Sequence, residues 1–240
     1  MIKLIASDMD GTLLNDDHMI SEENLKAIRK AQEMGRHFTI VTGRDYGAVK
    51  SYLEECNLKC ECILSNGAEY RDVNGNIIES VYMNKKSVKI AFDILNEANL
   101  CIQLMTNNGS YITNKESDIE ILKIVTFDND EKLIAALKEK LRENASDLAV
   151  ASTFSNDIEI SDIKAQKGLI LAKTIKKMGI DKSEVIVLGD SFNDYSMFTE
   201  FENSYAMENA IPEIKEIAKY ITDTNNNDGV AKAIYKALEV

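Results

Sequence analysis

Short apolar runs alternate along the chain with longer stretches in which apolar side chains recur at helical spacing. The first run, Leu4-Ile5-Ala6, stops at two carboxylates, Asp8 and Asp10, and Gly11 supplies a turn. A brief apolar run ended by a turn signal reads as a buried strand. Ser21 then stands as an N-cap, with Glu22 and Glu23 in the first turn of a helix. Leu25, Ile28, Ala31 and Met34 share one face of it, and Gly35 ends it. A strand at 38–41 runs into Thr42-Gly43-Arg44. A second helix carries Tyr46, Val49, Tyr52, Leu53 and Cys56, and a strand at 62–64 runs into Ser65-Asn66-Gly67. This β-α-β-α-β order, with a polar turn after every strand, predicts a parallel, doubly wound sheet. Asp8 and Asp10, two apart, start on one face of the first strand, and the turn can re-aim the second.

The pattern then changes. Asn74-Gly75 signals a hairpin between 70–73 and 77–82. From about 84 to about 164 the chain reads as a separate α+β unit, a small sheet with helices on one face. Val88, Ala91, Phe92 and Leu95 mark one helix, and Leu133, Ala136, Leu137 and Leu141 mark another. Strand runs fall at 100–105, 111–113, 121–127, 148–154 and 158–160, with Asn107-Asn108-Gly109 as a tight turn. The alternation resumes at Lys167-Gly168 with a helix at 169–178 ended by Gly179. A strand at 185–188 enters Gly189-Asp190-Ser191-Phe192-Asn193-Asp194, followed by a short helix at 195–201. A run at 204–207, a helix after Pro212 and a final amphipathic helix beyond the Asn-rich 225–229 loop complete the chain. The expected fold is α/β: a Rossmann-like doubly wound parallel core from 1–83 and 165–240, interrupted by an α+β insertion at 84–164.

Composition narrows the function. The chain has 240 residues, 45% hydrophobic and 28% charged, with one proline, which supports an ordered core. A formal net charge of −12 argues against nucleic-acid and anionic-membrane partners. An anionic substrate would then need a metal or a placed Lys or Arg. No apolar leader or membrane-length segment stands out, so the expectation is a soluble cytoplasmic protein. Cys56, Cys60, Cys62 and Cys101 lack compact metal-ligand spacing and read as buried structural thiols. His18 and His37 fit no catalytic pattern.

The strand ends offer one kind of chemistry. In a parallel sheet, Asp8 and Asp10, Thr42, Asn66, and Asp190 with Asp194 converge on one edge, and Lys167 adds a fixed cation. Hard oxygen ligands in this number suit Mg²⁺, which shares its sites with phosphate. Each feature also has a plainer reading. Thr42-Gly43-Arg44 is an ordinary strand-to-helix turn, Asp190 and Asp194 sit at a helix N-terminus, Asn66 orders its loop, and Arg44 is solvated.

Asp8-Met9-Asp10-Gly11-Thr12, then Thr42, Lys167 and Gly189-Asp190-Ser191-Phe192-Asn193-Asp194 resemble the four motifs of the haloacid dehalogenase (HAD) superfamily. The insertion between the second and third motifs resembles the Cof-type branch with its C2B-type cap, as do Ser65-Asn66-Gly67-Ala68, Glu208-Asn209-Ala210 and Asp228-Gly229-Val230. Glu208 stands where that branch implies glycine. The resemblance implies that Asp8 is the nucleophile and Asp10 the acid and base. It implies that Thr42, Gly43, Lys167 and Asn193 bind phosphate, and that Asp8, the Asp10 carbonyl, Asp190 and Asp194 hold Mg²⁺. The expected activity is Mg²⁺-dependent hydrolysis of a small phosphorylated metabolite, a sugar phosphate or a phosphoglycolate-like ester, through an aspartyl phosphate. The alternatives are a phosphomutase of the phosphomannomutase type and a non-catalytic phospho-ligand binding module. The cap is expected to lie over the sheet edge that carries Asp8.

Overall fold

A computed structural model describes residues 1–115, 119–152 and 155–239. In chain order, β1 (Leu4–Ser7), α1 (Glu22–Glu33), β2 (His37–Val41), α2 (Tyr46–Glu55) and β3 (Glu61–Leu64) alternate, and a hairpin of β4 (Glu69–Arg71) and β5 (Ile77–Ser80) follows. Next come α3 (Lys85–Glu97), β6 (Gln103–Thr106), β7 (Gly109–Ile112), β8 (Lys123–Phe127), α4 (Glu131–Asn144), β9 (Leu148–Ala151) and β10 (Asp157–Asp162). The chain ends with α5 (Lys167–Met178), β11 (Val185–Gly189), α6 (Tyr195–Glu200), β12 (Ser204–Ala206), α7 (Pro212–Ile217), β13 (Tyr220–Ile221) and α8 (Gly229–Leu238).

The first sheet has the order β13-β12-β11-β1-β2-β3-β4-β5. It is parallel from β13 to β3, and the β4–β5 hairpin adds an antiparallel edge. β1 lies between β11 and β2, with Ile5 opposite both Ile186 and Phe38. All of β1 is buried, which is why its sequence is a continuous apolar run rather than an alternating one. The winding direction reverses at β1, so the crevice beyond its C-terminal end is the switch point where such sheets bind ligands. The expected caps are present. Ser21 accepts from the Asn24 N–H at 3.1 Å, a contact worth about 1 kcal/mol, and Gly179 closes α5 in the left-handed conformation.

The second sheet is antiparallel, in the order β7-β6-β8-β10-β9. Leu104, Ile124, Ile158 and Ile160 point from one face into a hydrophobic cluster shared with α3 and α4. By the two-residue period of a strand, Met105, Lys123, Val125, Asp157 and Glu159 occupy the other face, and all five line a cavity against the first sheet.

Some expectations are corrected. On α4 the buried residues are Ile134, Leu137 and Leu141, while Ala136 is exposed; the helix is turned so that the larger Ile134 takes the centre of its face. The runs at 100–105 and 121–127 become strand only at Gln103 and Lys123, because Leu100, Ile102 and Ile121 pack into the cluster first. The run at 148–154 is strand through Ala151, and residues 153 and 154 lie outside the described residues. Cys60 and Cys62 are buried thiols as expected, but Cys56 is only partly buried and Cys101 is exposed. No described helix is long and apolar enough to cross a membrane.

Candidate active site

β1 ends at Ser7, so Asp8 and Asp10 both stand in the turn beyond it. Gly11 adopts φ +74°, and a Cβ there would lie 2.4 Å from Asp190 Oδ2. Only glycine permits both the conformation and that close approach. The turn sends the two acids apart. Asp8, 3% exposed, meets Lys167, while Asp10 meets Arg44.

Lys167 opens α5 and is fully buried. Its Nζ donates to Asp8 Oδ1 at 2.7 Å, Asp194 Oδ1 at 2.6 Å and Asn193 Oδ1 at 3.3 Å. Gly168 lets α5 come this close: a Cβ there would sit 2.1 Å from the Ser196 carbonyl oxygen on α6. The second oxygen of Asp194 accepts from the backbone N–H groups of Asp190 and Ser191, at 2.9 and 3.1 Å. Asp190 is held in turn by the Thr12 hydroxyl, which donates to it at 2.9 Å.

Carboxylate oxygens of Asp8, Asp190 and Asp194 lie within 4.8 Å of one another. Burial, then the charges of Asp194 and Asp190, raises the Asp8 pKa well above the carboxylate range, against the pull of Lys167. Burial and Asp194 push Asp190 up to about 7. Burial favours neutral Lys167, but Asp194 and Asp8 outweigh it and raise its pKa. Three carboxylates therefore face one ammonium. Hard oxygen donors with excess negative charge fit a divalent cation such as Mg²⁺.

The opposite wall comes from β2 and β3. Thr42 is fully buried, and its hydroxyl accepts from the Arg44 N–H at 3.2 Å. Arg44, expected to be solvated, instead grips Asp10 with two bonds, Nε to Oδ2 at 2.8 Å and Nη2 to Oδ1 at 2.5 Å. Those bonds, more than any other influence, raise its pKa. Ser65 and Asn66 both have positive φ, 51° and 59°. This strained loop is tied down by Ser65 N–H to Arg44 O and Asn66 N–H to Thr42 O, so it orders the Thr42–Arg44 turn.

The cavity between the two sheets measures about 680 Å³. Asp8, Asp10, Gly43, Asp190 and Asn193 reach its wall; Thr42, Lys167 and Asp194 lie buried behind it. From the second sheet, Lys123 donates to the Gly43 carbonyl at 3.1 Å and pairs with Glu159 at 2.9 Å. Asn107, in the tight turn at 107–109, is committed to Glu69, Ser80 and Tyr82, which ties that turn to the β4–β5 hairpin. Glu208 leaves its turn intact: Asn209 donates to the Gly11 carbonyl at 2.7 Å and accepts from the Asn225 N–H.

The sequence reading of the insertion did not single out Lys123, Asp157 or Glu159. Their signal was the strand alternation, with Lys123, Val125, Asp157 and Glu159 interleaved with Ile124 and Ile158.

The chain belongs to the haloacid dehalogenase-like hydrolases: the model of that family matches residues 5–121 and 115–234. Among characterised proteins, it is 38% identical to 5-amino-6-(5-phospho-D-ribitylamino)uracil phosphatase YcsE of Bacillus subtilis, over 97% of this chain and 94% of that one. It is 31% identical to phosphatase YwpJ of the same organism, over 96% of this chain and 98% of that one. A solved haloacid dehalogenase-like hydrolase from B. subtilis superposes with a TM-score of 0.90 at 30% identity, covering 97% and 99% of the two chains. The chain is thus a phosphatase of the Cof branch.

Proposed function

We propose that this phosphatase is Mg²⁺-dependent and hydrolyses a small phosphorylated metabolite, a sugar phosphate or a phosphoglycolate-like ester, through an aspartyl phosphate. The observation that carries the reading is Asp8, buried at the switch point with Lys167 at 2.7 Å and the carboxylates of Asp190 and Asp194 beside it. Asp8 attacks phosphorus and displaces the leaving oxygen, which takes its proton from Asp10. Asp10 then removes a proton from the water that attacks the aspartyl phosphate. Thr42, the Gly43 backbone, Lys167 and Asn193 hold the phosphoryl oxygens. Lys167 lowers the Asp8 pKa against burial and its acidic neighbours, and together with a bound cation it would favour the ionised nucleophile.

Mg²⁺ would be held by Asp8, the Asp10 carbonyl and Asp190. Both oxygens of Asp194 are engaged by Lys167 and two backbone N–H groups, so Asp194 orders the loop that carries Asp190. When bound, the ion offsets negative charge on the carboxylates and phosphoryl oxygens.

Residues 84–164 act as the cap and 1–83 with 165–240 as the catalytic core. The cap's own hydrophobic cluster and the face it turns to the cavity support that division. A cap so placed excludes water and meets the leaving group. The name of the Bacillus relative puts 5-amino-6-(5-phospho-D-ribitylamino)uracil in the first panel to try. Free buried thiols at Cys60 and Cys62 suit a reducing cytoplasm, and the −12 charge suits a small-molecule partner rather than nucleic acid or membrane. The test is phosphate release across a panel of phosphorylated metabolites, with Mg²⁺ and with EDTA. Release that needs Mg²⁺ supports the reading. No release from any ester, or full release after exhaustive chelation, overturns it.

A further inference from the structure

A line of hydrogen bonds runs from the second sheet to the buried lysine. On β10, Glu159 Oε2 pairs with Lys123 at 2.9 Å and accepts from Asn66 Nδ2 at 2.5 Å. A carboxylate can only accept, so this contact fixes the Asn66 amide with its oxygen turned the other way. That oxygen accepts from Asn193 Nδ2 at 3.4 Å. Asn193 Oδ1 in turn accepts from Lys167 Nζ at 3.3 Å, and Lys167 holds Asp8. Every member except Asn193 is buried. Asn66 sits at φ 59° in a loop whose preceding residue is also left-handed, a conformation that persists only where neighbours hold it. A Cβ on Gly43 would lie 2.9 Å from Asn66 Oδ1, so the phosphate-side turn and Asn66 are packed without slack.

We infer that Glu159 is a positioning residue which, through Asn66 and Asn193, makes the placement of Lys167 depend on the second sheet being seated over the core. The inference rests on the proposed roles of Asp8 and Lys167 and goes beyond them. It couples the part of the protein that meets the leaving group to the group that prepares the nucleophile. With the second sheet lifted, Asn66 loses the acceptor for its Nδ2 and its amide is free to turn; Asn193, whose Oδ1 still accepts from the Ser191 hydroxyl at 2.9 Å, loses the partner that holds its Nδ2. Substrate that seats the sheet thereby completes the catalytic geometry, and water alone in an open cleft does not.

The test compares Glu159→Gln, Asn66→Ala and the double variant on two esters, p-nitrophenyl phosphate and a sugar monophosphate that the wild type hydrolyses. If Glu159 acts through Asn66, each single variant lowers kcat on both esters by the same factor, about tenfold or more, as expected for a misplaced catalytic group. KM changes little, and the double variant is no worse than the poorer single one. Thermal unfolding is followed in parallel. Asn66→Ala keeps the Glu159–Lys123 pair and carries the test if Glu159→Gln does not fold. A loss confined to the sugar phosphate would make Glu159 a leaving-group contact and overturn the inference. So would independent, multiplying losses in the double variant, or a lower Tm with kcat intact. Wild-type protein that releases no phosphate from either ester would instead overturn the reading of the site, and this coupling with it.

Discussion

Asp190→Asn should make the metal-free protein more stable while abolishing its response to Mg²⁺. Burial and the charge of Asp194 push the Asp190 carboxyl from its ordinary 3.8 up to about 7. Its folded-state pKa is raised, so its contribution is fully favourable below the unfolded value and is lost as pH rises towards 7. At about 1.36 kcal/mol per pH unit, the gap amounts to about 4 kcal/mol of destabilisation at pH 8 and less than about 2 at pH 5. An amide carries no charge to bury, and its oxygen still accepts from Thr12. Urea unfolding in EDTA should therefore show the variant gaining on wild type at pH 8 by about 2 kcal/mol more than at pH 5. Added Mg²⁺ should then raise wild-type stability at pH 8 and leave the variant nearly unmoved, since only a species that binds the folded state stabilises it. The same gain at both pH values would place the effect in packing. A variant no more stable than wild type at pH 8 would refute the charge argument altogether.

Three further outcomes follow from the same geometry. Asp8→Asn should fold normally and lose turnover, because an amide is a poor nucleophile; more than trace phosphate release by the pure variant would remove Asp8 from that role. Asp10→Asn should slow alkyl phosphates far more than p-nitrophenyl phosphate, whose leaving group needs little protonation; equal loss on both would leave Asp10 a structural residue. Gly168→Ala should cost about 1–3 kcal/mol in denaturant unfolding, because its methyl meets a backbone oxygen that cannot swing aside; an unchanged midpoint would show that α5 and α6 separate freely.

The core was legible because burial on both faces writes itself as continuous apolar runs. Leu4–Ser7 and Val185–Gly189 each stop at an acid or glycine-rich turn, and those stops are the strand ends that build the site. Asp8, Asp190, Asp194 and Lys167 could be placed from their positions at such boundaries. Arg44 could not. A guanidinium after a turn reads as solvated, and its partner Asp10 is 34 positions away, re-aimed by a glycine turn whose geometry is set by Asp190. Lys123 failed for a related reason. A lysine in a half-apolar strand reads as the solvent face, and only the core packed against that face makes it buried. Glu159 meets Asn66 across 93 positions, a pairing that no local pattern encodes.

The two hydrophobic clusters stay separate: Leu104, Ile124 and Ile158 belong to one, Ile5, Ile40 and Leu188 to the other. Apart from a small apolar contact of Ala68, Leu122 and Ala165, the sheets are joined around the cavity by polar bonds: Asn66 to Glu159, Lys123 to the Gly43 carbonyl, Arg71 to the Asn107 carbonyl, and Asn107 to Glu69. A continuous apolar seam would gain about 25 cal/mol for each Å² buried and would hold the cleft shut at a cost no small ligand could offset. Each of these four bonds has a charged partner and contributes about 1.5–3 kcal/mol, much of which water returns when the bond opens. A few of them set a balance of a few kcal/mol, which the differential binding of one phosphorylated ligand is large enough to tip. For the cap proposed above, a seam of this kind would permit the second sheet to part from the core and reseat over Asp8 without unfolding either cluster.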